Sequence, residues 1–138
     1  MSSFAAQIFA FGAHAELKQQ QALRKSAFEV FSRVIMRTPV DTGRLRGNWQ
    51  ATTHKQATGV VEELDQSGPV TQNGSGNSAA KRDMETVVLG ESRPTVFHLS
   101  NTLPYAQVVE YGSSDQAPQG MVRISVLEFE KIVGEVTK

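Results

Sequence analysis

The chain has no cysteine in its 138 residues. Neither a disulfide framework nor a thiolate metal site can form, which is consistent with a reducing compartment. Stability has to come from a packed core. A chain of this length buries roughly two thirds of its unfolded surface and can fold as one domain over residues 1–138. Net charge is lacking as well, since 14 Lys and Arg balance 14 Asp and Glu. Sequence-blind nucleic-acid binding rests on an excess of phosphate-neutralising cations, so it is disfavoured here. No apolar run approaches the roughly 20 residues that span a bilayer. The apolar opening, MSSFAAQIFAFGAHAEL, carries no Lys or Arg before Lys18, so it lacks the basic n-region of a signal peptide. The expectation is a soluble protein.

Recognisable catalytic and cofactor signatures are also missing. His14, His54 and His98 are far apart and match no metal-ligand spacing. Gly74-Ser75-Gly76 sits in a polar stretch with no Lys-Ser/Thr after it, so it is not a phosphate loop. No nucleophile elbow accompanies any Ser, His or Asp. The sequence predicts no cofactor and no metal.

What is present is helical periodicity at both ends. In residues 13–37, Leu23, Ala27, Val30 and Val34 recur at helical spacing, flanked by Phe28, Phe31 and Ile35. Thr38-Pro39 ends that helix, because proline donates no N–H and pushes its predecessor out of the α region. Residues 117–136 predict a second amphipathic helix with Pro118 in its first turn and a stripe of Val122, Val126, Phe129, Val133 and Val136. A short helical turn is expected at 105–111, with Gly112 as its C-terminal cap.

Between the long helices, residues 49–54, 58–64, 85–89 and 94–100 read as strands, with Phe97 and Leu99 facing the core and His98 facing solvent. Residues 90–93 have hairpin length. Residues 65–83, DQSGPVTQNGSGNSAAKRD, hold almost nothing to bury and read as a long mobile loop. The predicted class is α+β: a mostly antiparallel sheet packed against a long N-terminal helix and a C-terminal helix, with that loop between strands.

Residues 38–49, TPVDTGRLRGNW, contain an Asp-Thr-Gly of the kind that presents the catalytic carboxylate of aspartic proteases. That chemistry needs two carboxylates sharing a proton. One copy means a homodimer would be required. Arg44, directly after the motif, would favour two ionised carboxylates, which is the wrong state. The alternative reading is structural. Asp41 or Thr42 caps a short turn through Gly43, Arg44 and Leu45, Gly43 lets the backbone approach closely, and Leu45 and Trp49 lock the turn onto the core. Arg44 and Arg46 then lie at a rim, open to a partner. Trp49, Tyr105, Tyr111 and Arg44 are of the types enriched at interface hot spots, with core packing favoured for Trp49 and Tyr105 and exposure for Tyr111.

Three ordered segments carry a resemblance: residues 38–49, residues 101–112 (NTLPYAQVVEYG) and residues 116–123 (QAPQGMVR). Together they resemble the tail-component family of long-tailed bacteriophages, the small neck and tail-completion proteins that include minor tail protein Z of phage lambda. That family carries a helix running into Pro-Val-Asp-Thr-Gly-x-Leu-Arg, then Tyr-Ala-x-x-x-Glu-x-Gly, then a C-terminal helix. The match assigns Asp41, Thr42, Gly43, Leu45, Trp49, Tyr105, Glu110 and Gly112 to the shared motifs. The resemblance implies a non-enzymatic virion protein of the neck or tail, assembled in the host cytoplasm and acting in tail completion and head-to-tail joining. Its implied partners are other neck and tail proteins: a connector or head-closure ring, and a tail terminator or tail tube. It implies a ring homo-oligomer in the virion through which DNA would pass, a monomer when free, no membrane and no sequence-specific nucleic acid. A ring needs a heterologous interface. Candidate interface residues are Arg44, Arg46 and Tyr111, with Gln72, Asn73, Lys81 and Arg82 of the 65–83 segment.

Overall fold

One helix sets the frame of the computed structural model, which describes residues 4–91, 96–112 and 114–138. α1 (Phe4–Arg37) has 34 residues, a rod about 51 Å long at the usual rise. It begins at Phe4 rather than at residue 13, because the apolar opening continues the helix. Its C-terminal part supplies Ala27, Val34, Ile35 and Met36 to the core. Its N-terminal part leaves Phe4, Ile8, Phe9, Phe11 and Leu17 exposed. The helix stops at Thr38, whose hydroxyl donates to the Val34 carbonyl at 2.7 Å and whose amide reaches the Ile35 carbonyl. Pro39 follows, as expected.

After α2 (Arg44–Gly47), β1 (Gln50–Thr52) pairs antiparallel with β2 (His98–Ser100), in the register Gln50↔Ser100, Ala51↔Leu99 and Thr52↔His98. Among the described residues this two-stranded ribbon is the whole sheet. The fold is therefore broadly α+β but mainly helical, and the larger antiparallel sheet is corrected. Residues 58–64 form no strand; the Asn48 side chain holds them instead, accepting from the Val61 amide and donating to the Val61 carbonyl at 2.7 and 2.9 Å. Residues 85–89 lie in a helix, and the expected hairpin at 90–93 and the start of the 94–100 strand fall on residues 92–95, outside the described chain. Phe97 and Leu99 pack against the core, as the alternation predicts.

The helix that replaces the expected strand is α3 (Ala79–Gly90). Ser78 caps it, accepting from the Lys81 amide. Ala80, Met84 and Val88, spaced by four, form its buried face. The Val-Val-Leu run favours a strand locally, but burial of this face against α1 decides otherwise.

α4 (Ala106–Glu110), α5 (Val122–Leu127) and α6 (Phe129–Val136) complete the chain. The single C-terminal helix expected over 117–136 is thus two, broken at Glu128. Ser125 donates its hydroxyl to the Met121 carbonyl four residues back, a bond that bends helices. Pro118 lies before the first turn. The buried face is Met121, Ser125 and Ile132, one position off the predicted valine stripe. Val122, Val126 and Phe129 are turned outward. The offset has an electrostatic cause. Arg37, only 4% exposed, donates to Ser125 Oγ at 2.9 Å and pairs with Glu128 at 2.6 Å, and Arg33 meets the other Glu128 oxygen at 2.9 Å. The polar side of α5 is drawn onto α1.

Candidate functional site

The Asp-Thr-Gly turn is held by its threonine and glycine. Thr42 Oγ1 accepts from the Arg44 amide at 3.3 Å. Asp41 is exposed, and among the described residues its carboxylate receives no hydrogen bond. Gly43 has φ +86, a left-handed conformation open to glycine. A Cβ there would lie 2.5 Å from the backbone of Asp65. The Gly43 carbonyl can therefore accept both the Gly47 and Asp65 amides at 2.9 Å. Leu45 and Trp49 are buried in the core, and the Trp49 indole N–H donates to Thr38 Oγ1 at 2.7 Å.

Arg46 is not at a rim. It is fully buried, and its guanidinium donates to the carbonyls of Ser67, Gly68 and Pro69 at 2.7, 3.0 and 3.2 Å. Burial pulls its pKa below the ordinary arginine value, while the charge of Asp65 acts the other way. Backbone carbonyls thus solvate a buried cation.

This arrangement also corrects the long mobile loop. Residues 65–83 are neither structureless nor without buried groups. Asp65 is 3% exposed and accepts from the Ala80 amide at 2.9 Å and the Ser67 amide at 3.0 Å, tying the segment to the start of α3. Burial would raise its pKa, but hydrogen bonds from Ser67, Ala80 and Ser78 hold it below the usual carboxylate range. The Thr71 amide donates to the Met36 carbonyl, and Arg37 Nε to the Gln72 carbonyl at 2.7 Å. Lys81 is drawn inward, donating to the Gly74 and Gly76 carbonyls and lying over the Phe28 ring. The side chains of Gln72, Asn73 and Arg82 lie on exposed positions, although Asn73 Oδ1 accepts from the Ser75 amide.

The three sequence segments meet in space. Gln116 grips the backbone of Val40, its carbonyl oxygen accepting from the Val40 amide at 3.0 Å. Asn101 Nδ2 donates to the Leu45 carbonyl at 2.8 Å. Glu110 receives the amides of Met121, Val122 and Arg123 at 2.9, 2.7 and 2.9 Å, filling donors that a helix start leaves open. Burial would raise the Glu110 pKa; the bonds from Val122, Arg123 and Met121 outweigh it and lower the pKa. Gly112 closes α4 in the left-handed region, φ +92, as expected of a cap.

On the outer face of this junction lies a shallow cleft of about 260 Å³ between Asp41, Arg44, Tyr105, Val109 and Gln116. Arg44 and Tyr111 are exposed, and the Arg123 guanidinium sits 4.8 Å over the Tyr111 ring. Tyr105 is 39% exposed, so its place is the surface rather than the core favoured by its type. Sequence reasoning missed Asp65, Asn48, Asn101 and Gln116 as ties, because a polar residue that reaches a distant backbone leaves no local pattern. Ser78 followed by Ala-Ala-Lys-Arg was the readable sign of α3. Among the described residues no group of His, Asp and Glu is placed to hold a metal.

The profile of the family described as "Bacteriophage HK97-gp10, putative tail-component" matches residues 2–112. That span includes α1, the Asp-Thr-Gly turn, α3 and α4. No curated protein and no solved structure matches the chain.

Proposed function

Because the chain belongs to the HK97 gp10-like family of phage tail components, we propose that it is a structural subunit of the neck or tail, acting in tail completion and head-to-tail joining through ring-forming contacts. It works without catalysis. Its partners are other tail and neck proteins, and its place is the virion, after assembly in the host cytoplasm. The supporting observation is the junction of the three segments. Polar residues there are used to fix backbone to backbone, and an aromatic and cationic rim is left outside. Arg44, Tyr111 and Arg82, with the side chains of Gln72 and Asn73, are the rim groups proposed to meet neighbouring subunits. Arg46 and Lys81 act behind them, holding the 65–83 segment in shape.

The test is genetic. Particles made without this protein are expected to accumulate as separate heads and tails in electron micrographs, and the purified protein to restore joining in vitro. Normally joined, infectious particles in its absence would end the proposal.

A further inference from the structure

We propose that the N-terminal arm of α1 docks into the apolar groove of a second copy of this chain. The arm and the groove are two independent observations on one molecule. Phe4, Ile8 and Phe11 form a helical stripe with Phe9 beside it, and Phe4, Phe9 and Phe11 are 77%, 79% and 75% exposed. Three phenylalanines in that state present roughly 450 Å² of apolar surface. That exceeds half of the ~800 Å² that one partner brings to a standard interface. A helical arm without tertiary contacts is marginal in water, and Gly12 within it has open space around it, which weakens the helix further. Packing against something is what makes this arm stable.

The groove, about 350 Å³, is lined by Leu23, Val30 and Phe31 of α1, by Phe97, and by Phe129 and Val133 of α6. Val122 and Val126, earlier on the same predicted stripe, are also turned outward. This is the stripe whose periodicity predicts a core position, yet Val122, Val126 and Phe129 are exposed and Val133 is only half-buried. A core pattern left uncovered in one subunit is met by burial in an assembly. The arm cannot fold back into its own groove. Phe11 and Leu23 lie on one rod, about 18 Å apart along its axis. Neither surface carries a charged side chain at its centre, which suits an interface core. A bilayer is a poor occupant, because interfacial helices carry Lys and Arg on the polar face and this arm has none before Lys18. A different patch on each side makes the contact heterologous, so it repeats from copy to copy and closes rings or builds filaments.

The inference rests on the ring-forming part of the reading above, but its test needs only the purified chain. Because there is no cysteine, an Ile8→Cys chain can be mixed with a tagged Phe129→Cys chain and treated with a short bismaleimide. Val133→Cys, which also lines the groove, replaces Phe129→Cys if the latter loses its helical circular dichroism. The expected result is a mixed dimer several-fold above that from Ile8→Cys with Arg82→Cys, suppressed when Phe4→Glu and Phe11→Glu are added to the Ile8→Cys chain. Equal yields from both pairs, or a dominant Ile8→Cys self-dimer, would overturn arm-in-groove docking. That failure, alongside separate heads and tails in particles lacking the protein, would remove this inference alone. A strong mixed dimer alongside normal particles would uphold docking and remove the tail role.

Discussion

Glu110 and Arg123 hold each other from both directions. The Arg123 amide and Nε donate to one Glu110 carboxylate oxygen at 2.9 and 3.1 Å, and its guanidinium reaches the Glu110 backbone carbonyl at 2.6 Å. The end of α4 and the start of α5 are thereby one joint. Glu110→Ala should leave three amides at the entry to α5 without acceptors and lower stability by about 1–2 kcal/mol, measured by urea denaturation. Arg123→Ala should cost well under that, since its side chain is 53% exposed and exposed pairs contribute little. Equal losses from the two would refute this division.

The same carboxylate contributes to an acid limit, together with Asp65 and Glu128. Arg37 hydrogen bonding is the main cause that lowers Glu128. A carboxylate with a depressed folded pKa stabilises the fold above its unfolded pKa and loses that contribution as pH falls through the folded value. Thermal stability should therefore be level from neutral pH to about 5 and fall below about 4. Glu128→Gln should flatten the acid limb and lower the neutral plateau. A stability maximum in acid would contradict the three assignments.

Gly43 and Asp41 should behave oppositely although they are two residues apart. Gly43→Ala places a Cβ 2.5 Å from the Asp65 backbone in a left-handed conformation that costs other residues about 1–2 kcal/mol before any clash. Severe destabilisation or failure to fold is expected. Asp41→Asn should fold with a melting temperature close to the parent. If the purified protein cleaved peptide bonds and Asp41→Asn abolished the cleavage, the non-catalytic reading would fall.

Arg46 is a further position to test. Arg46→Leu removes the donors from three carbonyls and should cost about 3 kcal/mol, in the range of hydrogen bonds to charged groups. Arg46→Lys keeps the charge but not the planar fork, and should recover only part of it. Hydrogen exchange should show residues 65–77 opening first in either variant. Protection there unchanged from the parent would mean the guanidinium does not hold the segment.

What was readable from sequence was the body of α1, carried by its periodic apolar residues, the stop at Thr38-Pro39, and Gly112 as the cap of the short turn before it. Elements decided by distant polar partners were not. α3 reads as a strand at Val87-Val88-Leu89 until its buried face meets α1. Residues 65–83 read as mobile because composition does not reveal that Arg46 and Arg37 bond to carbonyls within them, or that their last residues open α3. The valine stripe of α5 predicted the wrong buried face, since Arg37 and Arg33 draw Glu128 inward at the expense of apolar contact. Of the expected rim, Arg44 and Tyr111 lie outside as read, whereas Arg46, equally charged and two residues further on, lies within.

Because α1 is unbroken from Phe4 to Arg37, packing against its tip would make it a stiff lever about 51 Å long. Its free end carries the phenylalanines and its fixed end is bolted by Arg37 to Glu128. In the proposed docking, a copy that seizes the tip would therefore also set the bearing of the whole body, from a joint far from where the two touch.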